Sequence, residues 1–245
     1  MSSSPSSRPS RSSRRPLLIS AGVALAAVTL GVVSWQATAP ADKPARSVSA
    51  SAPQADPAAE LKALARREAG DKLALGRADA PVVLIEYSDF KCGYCGKFAR
   101  DTEPELVKKY VQDGTLRIEW RNFPIFGADS ETAAKAAWAA GQQDRFEQFH
   151  AAAYAEGAKE KGFGEARLAE LAEQAGVPDL ERFKKDMAGE EAAAALRKDQ
   201  DEGYRIGVSS TPSFLVNGQP IAGAQPLAAF TAAIAKAKAA AAAQR

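Results

Sequence analysis

The hydrophobic and polar positions after residue 80 predict a strand, a helix and a second strand in succession. Residues 82–85 are Val-Val-Leu-Ile, a β-branched apolar run that indicates a buried strand. A helix is predicted after Cys92 and up to Gln112, because Phe98, Thr102, Leu106 and Tyr110 recur every four residues, and Pro104 should kink it. In residues 116–121, Leu, Ile and Trp alternate with Arg and Glu, which indicates a strand with one buried face.

A long helical segment follows, over about residues 129–206. The predicted helices are residues 130–140, 144–155, 165–175, 180–187 and 190–204. We expect Asp129 or Ser130, and also Asp179, to cap helices, because their side-chain oxygens accept the free N–H groups of a first turn. These helices need a shared core, and its predicted members are Trp138, Phe146, Phe149, Tyr154, Leu168, Leu171 and Phe183.

The C-terminal pattern returns to strands before a last helix. Residues 214–216 form an apolar strand, Asn217-Gly218 is a hairpin signal, and residues 219–221 predict the returning strand. Residues 225–242 then predict a helix. The fold class is therefore α/β, in the order β-α-β, helical insertion, β-β-α.

The N-terminal part of the chain predicts export. Residues 1–16 are a basic, disordered stretch, and residues 17–35 carry no charge and would be about 28 Å long as a helix. That length nearly spans a bilayer core, so we predict an uncleaved transmembrane anchor with the arginines inside. The alternative is a signal peptide cleaved near Ala39. The Ala/Pro/Ser-rich residues 36–57 predict a flexible linker.

Residues 58–245 are expected to form the folded domain. Besides the elements above, a short helix is predicted at residues 57–68 and an edge strand at residues 72–75. The net charge is +2, and removing the four arginines of residues 1–16 leaves −2 for the remainder. A near-neutral body has no basic footprint, which argues against nucleic acid as a partner.

The candidate chemistry lies in Cys92-Gly93-Tyr94-Cys95, which contains both cysteines of the chain. The motif joins a strand to a helix start, where free N–H groups and the helix dipole favour a negative charge on the first sulfur. Cys92 is therefore the predicted nucleophile, and Cys95 can close a redox-active disulfide with it. A zinc site fits less well, because zinc needs four ligands and the chain has one histidine. An inert structural disulfide closing so short a loop would stabilise little. No metal and no cofactor is expected.

With this motif after a strand, the helical insertion, and Thr211-Pro212 before the hairpin, the chain resembles the DsbA-like thiol:disulfide oxidoreductases of the thioredoxin fold. The resemblance covers roughly residues 70–237. It implies that Pro212 is cis and lies against the cysteine pair, with Thr211 free to pair with a substrate peptide as a short strand. It also implies a buried acid six residues before the first cysteine, Glu86, which accepts and returns the proton of Cys95.

Other interpretations of these residues stay open at this point. Glu86 is also compatible with a sheet edge that faces solvent, and Pro212 with an ordinary proline at a strand start. Gly93 and Tyr94 are expected to shape the substrate site rather than to react. The sequence alone does not decide between these interpretations.

Four further residues near the motif have structural interpretations. Lys91 adds a positive charge near the thiolate, and we expect water to solvate this charge. The lone His150 is expected on the surface or in helix packing, which argues against Cys-His catalysis. Phe90 and Trp120 are expected in the core.

The predicted function is an oxidase that introduces disulfides into reduced or unfolded exported proteins and is reoxidised by a membrane redox partner. Its predicted place is the cell membrane, held by residues 17–35, or the periplasm or exterior after cleavage. Gly93-Tyr94 lacks the histidine of the strongest oxidases that the chain resembles, and Thr211 resembles the reducing and isomerising relatives. A reductase or isomerase is therefore the alternative, and a non-redox peptide-binding or chaperone module is a second class.

Overall fold

A computed structural model describes residues 57–243 and contains a five-stranded sheet in the order β1-β3-β2-β4-β5. The strands are β1 Ala74–Leu75, β2 Val82–Ser88, β3 Leu116–Asn122, β4 Ser213–Val216 and β5 Gln219–Ala222. β2 and β3 are parallel, and every other neighbouring pair is antiparallel. The α-helices of this part are α1 Pro57–Lys62, α2 Gly93–Asp101, α3 Glu103–Leu106, α4 Ala128–Gly141, α5 Phe146–Ala153, α6 Glu165–Gln174, α7 Leu180–Ala188, α8 Glu190–Arg205 and α9 Leu227–Ala242. The predicted order of β-α-β, helical insertion and β-β-α is confirmed.

β2 is the central strand, and all of its residues are buried. Successive side chains of a strand point to opposite faces. Leu84 packs with Phe98 of α2 and Phe230 of α9, whereas Ile85 belongs to the cluster on the other face. Glu86 shares the face of Leu84, so its carboxyl points into the layer that α2 covers.

The helix predicted between Cys92 and Gln112 is interrupted, as the proline suggested. α2 ends before Thr102, whose φ and ψ are −111° and −47°, and α3 begins directly afterwards with Pro104 in its first turn. Proline lacks an N–H group, and its ring clashes with the carbonyl four residues earlier. A π-helical turn, Val107–Val111, continues α3.

The helical insertion consists of α4 to α8, close to the predicted helices. The predicted start of α5 at Asp144 is wrong, because Asp144 has a φ of 59° and the helix begins at Phe146. Asp179 caps α7 as predicted and accepts the N–H of Arg182 at 2.9 Å. The predicted cap of α4 is wrong, since Gly127 occupies that position with a φ of 85°. The predicted core is confirmed, and only Trp138 is half-buried at its border.

The prediction that β3 has one buried face is wrong, because both faces are buried. Glu119 accepts a hydrogen bond from Arg117 Nε at 2.9 Å and another from Arg121 Nη2 at 3.0 Å. Arg121 Nε also donates to Glu202 of α8 at 2.9 Å. Alternation therefore identified the strand, but the polar face forms a buried ion network that α8 and the segment after α1 cover.

The ends of the described part differ slightly from the prediction. Asn217 and Gly218 have φ values of 45° and 84°, as a type I′ hairpin requires. α9 starts at Leu227, two residues after the predicted start. α1 ends at Lys62 rather than at residue 68, and Arg67 has a φ of 52°, which a helix does not allow.

The predicted basic stretch 1–16, the anchor or signal 17–35 and the linker up to residue 56 lie outside the described residues. Residues 244 and 245 lie outside them as well. Between residues 57 and 243, no helix is both long and apolar enough to cross a membrane.

Candidate active site

Asp89 builds the turn between β2 and α2. Its carboxylate accepts the N–H of Lys91 at 2.7 Å, and its backbone carbonyl accepts the N–H of Cys92 at 3.0 Å. The second carboxylate oxygen accepts the N–H groups of Ile125 and Phe126 at 2.7 and 3.2 Å, from the loop after β3. The cysteine turn is therefore tied to the carboxyl ends of both parallel strands. Sequence reasoning missed Asp89, although an Asx turn directly after a buried strand is a recognisable signal.

Cys92 occupies the N-cap position of α2, and its Sγ accepts the backbone N–H of Cys95 at 3.3 Å. As a thiol, Cys92 also donates to the backbone oxygen of Thr211 at 3.2 Å. A hydrogen bond with the Cys95 side chain is the largest cause that lowers the pKa of Cys92, to about 6, against the opposing effect of burial. The Thr211 hydroxyl has no hydrogen-bond partner among the described residues, so it is available to donate to a thiolate.

Cys95 has the opposite electrostatics. Its side chain is fully buried, one turn into α2, and both cysteines are free thiols. Burial raises the pKa of Cys95 well above its usual range, and the hydrogen bond and charge of Cys92 raise it further. At neutral pH the reduced pair therefore holds one thiolate, on Cys92, and one proton, on Cys95.

Glu86 is fully buried, which excludes the solvent-facing edge position. It lies between Trp120 of β3 and Phe214 of β4 in the sheet register. Neither carboxyl oxygen has a hydrogen-bond partner in the described part of the chain. Burial raises the pKa of Glu86 well above its usual range, and the charge of Glu103 adds to that shift. Burial therefore favours the protonated form of Glu86, which can exchange a proton with a neighbouring group.

Thr211 and Pro212 close the site from the other side. The peptide bond between them is cis, as the resemblance implied. Pro212 is buried, and its carbonyl accepts the N–H of Gly223, which fixes the loop to the end of β5. The loop therefore brings the Thr211 carbonyl into contact with the Cys92 sulfur.

The two residues between the cysteines face outward. Tyr94 is 70% exposed, and Gly93 is exposed as well. A Cβ atom at Gly93 would lie 3.5 Å from Nζ of Lys159, so the helical insertion comes close to the motif. A cavity of about 210 Å³ lies there, lined by Cys92, Tyr154 and Lys159 among others. A small reactant can therefore reach the Cys92 side of the pair.

Aromatic side chains surround the buried side of the motif. Phe90 stacks on Tyr154 with ring centroids 4.9 Å apart, and the Tyr154 hydroxyl lies 3.3 Å from Ser88 Oγ. Phe90 and Trp120 are buried, as predicted for core residues. His150 is also buried, so of the two predicted positions the helix-packing one is correct. These rings separate Cys95 and Glu86 from solvent.

The structure places Cys92 and Cys95 at the start of α2, Glu86 in β2, and the Thr211 carbonyl in contact with the Cys92 sulfur. Lys91 is only one-third exposed and lies 3.4 Å from Asp129, so an acidic partner rather than water alone balances its charge. Sequence reasoning missed Asp89 and the acid Glu103. Glu103 follows a helix break, where the apolar period gives no register for a buried position.

Known proteins resemble this chain over most of its described part. A family model described as thioredoxin matches residues 68–236. A probable disulfide bond formation protein D of Bacillus anthracis is 35% identical over 150 residues, which cover 59% of this chain and 69% of that protein. The family match spans the strand, the cysteine motif and the helical insertion.

Solved structures also resemble the chain. Oxidised BdbD from Bacillus subtilis superimposes with a TM-score of 0.62 at 26% identity, covering 69% of this chain and 93% of that one. DsbA1 of Wolbachia pipientis superimposes with a TM-score of 0.63 at 21% identity, covering 70% and 93% of the two chains. At that identity, the second match supports the fold alone.

Proposed function

This chain belongs to the thioredoxin family and is a protein thiol:disulfide oxidoreductase, and from this premise we propose that it is an exported oxidase. Its redox pair is Cys92 and Cys95. The observation that carries the proposal is the contrast within that pair, since the pKa of Cys92 is lowered to about 6 and that of Cys95 is raised. A pair that stabilises its own thiolate favours the reduced form, and a stable reduced form makes the disulfide an oxidant.

In the first step of this reaction, a substrate thiolate attacks Sγ of Cys92 in the oxidised pair. The Cys92–Cys95 bond breaks, a mixed disulfide forms on Cys92, and Cys95 leaves as a thiolate. Because Cys95 is fully buried, its thiolate is unfavourable and takes up a proton at once. Glu86, buried and protonated in the layer beneath, is the proposed donor.

In the second step, another thiolate of the substrate attacks the substrate sulfur of the mixed disulfide. The substrate gains a disulfide and loses two electrons, and the enzyme is left with a Cys92 thiolate and a Cys95 thiol. The low pKa makes Cys92 a good leaving group, which speeds this step. A membrane redox partner then reoxidises the pair.

Substrate binding is assigned to the rim of the site. Thr211 and Pro212 lie against Cys92, and their loop offers backbone groups to an extended peptide. Tyr94 adds an exposed aromatic ring beside the sulfur, and Phe126, 50% exposed, lies on the loop that Asp89 ties to the motif. Apolar side chains around a reactive sulfur suit unfolded chains, which expose apolar residues of their own.

The proposal places the enzyme outside the cytoplasm. Residues 17–35 would anchor it in the cell membrane, with residues 36–57 as the linker and the catalytic domain outside. Cleavage near Ala39 would instead release it to the periplasm or exterior. A disulfide-forming enzyme needs such a location, because disulfides persist outside the reducing cytosol.

The equilibrium reduction potential of the pair tests the direction of the reaction. Reactive cysteines with a pKa of about 3.5 belong to strong oxidases and those of about 7 to reductases. With a pKa of about 6 for Cys92, we expect a potential between roughly −120 and −270 mV. Equilibration of the full-length protein against glutathione gives this value. A potential at or below the lower limit would make the protein a reductase, and a pair that never equilibrates would overturn the redox role.

The other candidate, a peptide-binding or chaperone module, is distinguished by a variant without the reactive sulfur. Exposed Tyr94 and Phe126 favour peptide contact in either case. If Cys92→Ala abolishes both the oxidation of a reduced client protein and the recovery of that client from its unfolded state, redox chemistry is the function. If the variant still protects an unfolded client from aggregation, peptide binding is a function of its own.

A further inference from the structure

Glu103 is a second buried acid close to Glu86. Trp120 is the cross-strand neighbour of Glu86, and its ring packs edge-on against His150 with centroids 4.7 Å apart. Nδ1 of His150 lies 3.7 Å from Oε2 of Glu103, which begins α3. The two carboxyls thus belong to one continuous group of contacts between the sheet, α3 and α5.

A cavity reaches Glu103 from the surface. It measures about 230 Å³ and is lined by Glu103 and His150 together with Glu147, Pro104 and Lys108, among other residues. Lys108 and Pro104 are exposed, so the cavity is open to water. Glu86, in contrast, is fully buried in the described fold and has no hydrogen-bond partner there. Of the two acids, Glu103 is therefore the one that lines a cavity open to water.

The charges around the two acids fix the order in which they ionise. Burial, and then the charge of Glu147, raise the pKa of Glu103 to about 8. Burial lowers the pKa of His150 to about 3, so this imidazole is neutral and brings no charge. Glu103 therefore loses its proton first, and its negative charge then holds the proton on Glu86 more tightly, with a smaller contribution from Cys92.

We propose that Glu103 is a positioning residue for proton transfer, which with Glu86 forms a two-carboxyl path between Cys95 and the water of the cavity beside Glu147. This inference rests on the proposed roles of Cys95 and Glu86. It assigns to α3 a part in the reaction beyond packing. The proton of the buried thiol then has a route to solvent on the side of Trp120 and His150.

The path acts when Cys95 closes the disulfide. A mixed disulfide between Cys92 and glutathione forms when the Cys92 thiolate attacks glutathione disulfide and releases one glutathione thiolate. Glu103 gives its proton to water in the cavity, Glu86 passes its proton to Glu103, and the Cys95 thiol gives its proton to Glu86. The Cys95 thiolate attacks Cys92 Sγ, and the second glutathione leaves as a thiolate. The enzyme has lost two electrons to glutathione disulfide.

The rate of this closing step against pH tests the path. We react the reduced full-length protein with excess glutathione disulfide, quench with acid and follow the mixed disulfide by mass spectrometry between pH 6 and 10. In the wild type, the rate should rise with a midpoint near pH 8, where Glu103 ionises. In Glu103→Gln, which can neither accept nor pass on the proton, that rise should be lost and the rate at pH 8.5 should fall about tenfold.

Matched variants separate the path from packing. Glu105→Gln removes an exposed carboxyl from the same helix and should leave the profile unchanged. Glu103→Asp keeps an acid and should keep the rise of the rate near pH 8. This variant also provides the test if Glu103→Gln does not fold. In a Glu86→Gln background, adding Glu103→Gln should slow closure no further, because the two acids act in series.

The outcomes are distinct. If Glu103→Gln keeps the wild-type pH profile, Glu103 only packs and the inference is wrong. The inference is also wrong if Glu103→Gln slows closure by the same factor in the Glu86→Gln background as in the wild type. If Glu103→Asp folds and loses the rise, the inference is wrong as well. If the wild type forms no mixed disulfide at Cys92, the proposed function itself fails, whatever Glu103 does.

Discussion

The sulfur of Cys92 lies 3.3 Å from the backbone nitrogen of Cys95 and accepts its N–H, at the N-cap of α2. The same helical turn that points this N–H at the first sulfur buries the second sulfur completely. One thiol is therefore stabilised as an anion and the other as a neutral group, three residues apart. The reactivity of the pair follows from this difference.

The reduced protein should show one thiolate that titrates near pH 6, visible as absorbance at 240 nm. Cys92→Ala should remove this titration completely. In Cys95→Ala, the midpoint should rise, because the hydrogen bond with the Cys95 side chain is the largest cause of the low pKa. An unchanged midpoint in Cys95→Ala would show that the backbone N–H groups alone hold the thiolate.

The stability of the reduced form should depend on pH through Cys92. Its pKa is about 6 in the folded protein and about 8.5 in an unfolded chain. The stabilisation from ionisation is therefore complete above about pH 8.5 and is lost as the pH falls through 6. Urea unfolding of the reduced wild type and of Cys92→Ser measures this difference. The free energy of unfolding of the wild type should increase relative to that of the variant from pH 6 to 8.5. If the two free energies change with pH in parallel, the low pKa of Cys92 is contradicted.

Glu86→Leu should stabilise the protein while it slows exchange. The raised pKa keeps Glu86 protonated in the fold, whereas the unfolded chain ionises above about pH 4.3. The wild type therefore loses stability as the pH rises above 4.3, and the variant escapes this loss. We expect a gain of about 1–3 kcal/mol at pH 7 by urea unfolding. A variant less stable than the wild type would mean that the carboxyl is well solvated or paired.

Arg121→Met should destabilise the domain strongly. Arg121 is fully buried and bonds to Glu119 and Glu202, so its removal takes one buried cationic partner from each of these two carboxylates. Breaking a buried ion pair in this way costs about 3–5 kcal/mol, to be measured by urea unfolding. The matched control is Lys97→Gln, which breaks an exposed pair with Asp101 and should change stability little. Equal effects of the two substitutions would show that the network adds nothing to the fold.

Tyr94→His should make the pair a stronger oxidant. The side chain is 70% exposed, so the substitution should not disturb folding. A histidine next to the thiolate can carry a positive charge and lower the pKa of Cys92 further, as in the strongest oxidases that the chain resembles. We expect the reduction potential to rise by about 30 mV or more, which corresponds to roughly 1.4 kcal/mol. A lower potential would mean that Tyr94 itself stabilises the thiolate.

Local pattern was sufficient for much of the protein. The apolar run of β2, the period of the inserted helices and the Asn217-Gly218 hairpin each depend on neighbours in the chain, so their order could be predicted. Cys92 and Cys95 could be identified as well, because a two-residue spacing at a helix start determines both their contact and their chemistry. The fold class was therefore determined by the sequence, and the proposal that Cys92 and Cys95 are the redox pair also comes from it.

Only the tertiary structure decided which polar side chains are buried. Arg117, Glu119 and Arg121 have the alternation of a solvent-exposed face, yet α8 covers them. Glu86 had two possible positions until β3 and β4 were placed on either side of it. Glu103 gave no signal at all, since a helix break precedes it. Burial and charge at these positions come from elements far apart in the chain, and such contacts leave no local period in the sequence.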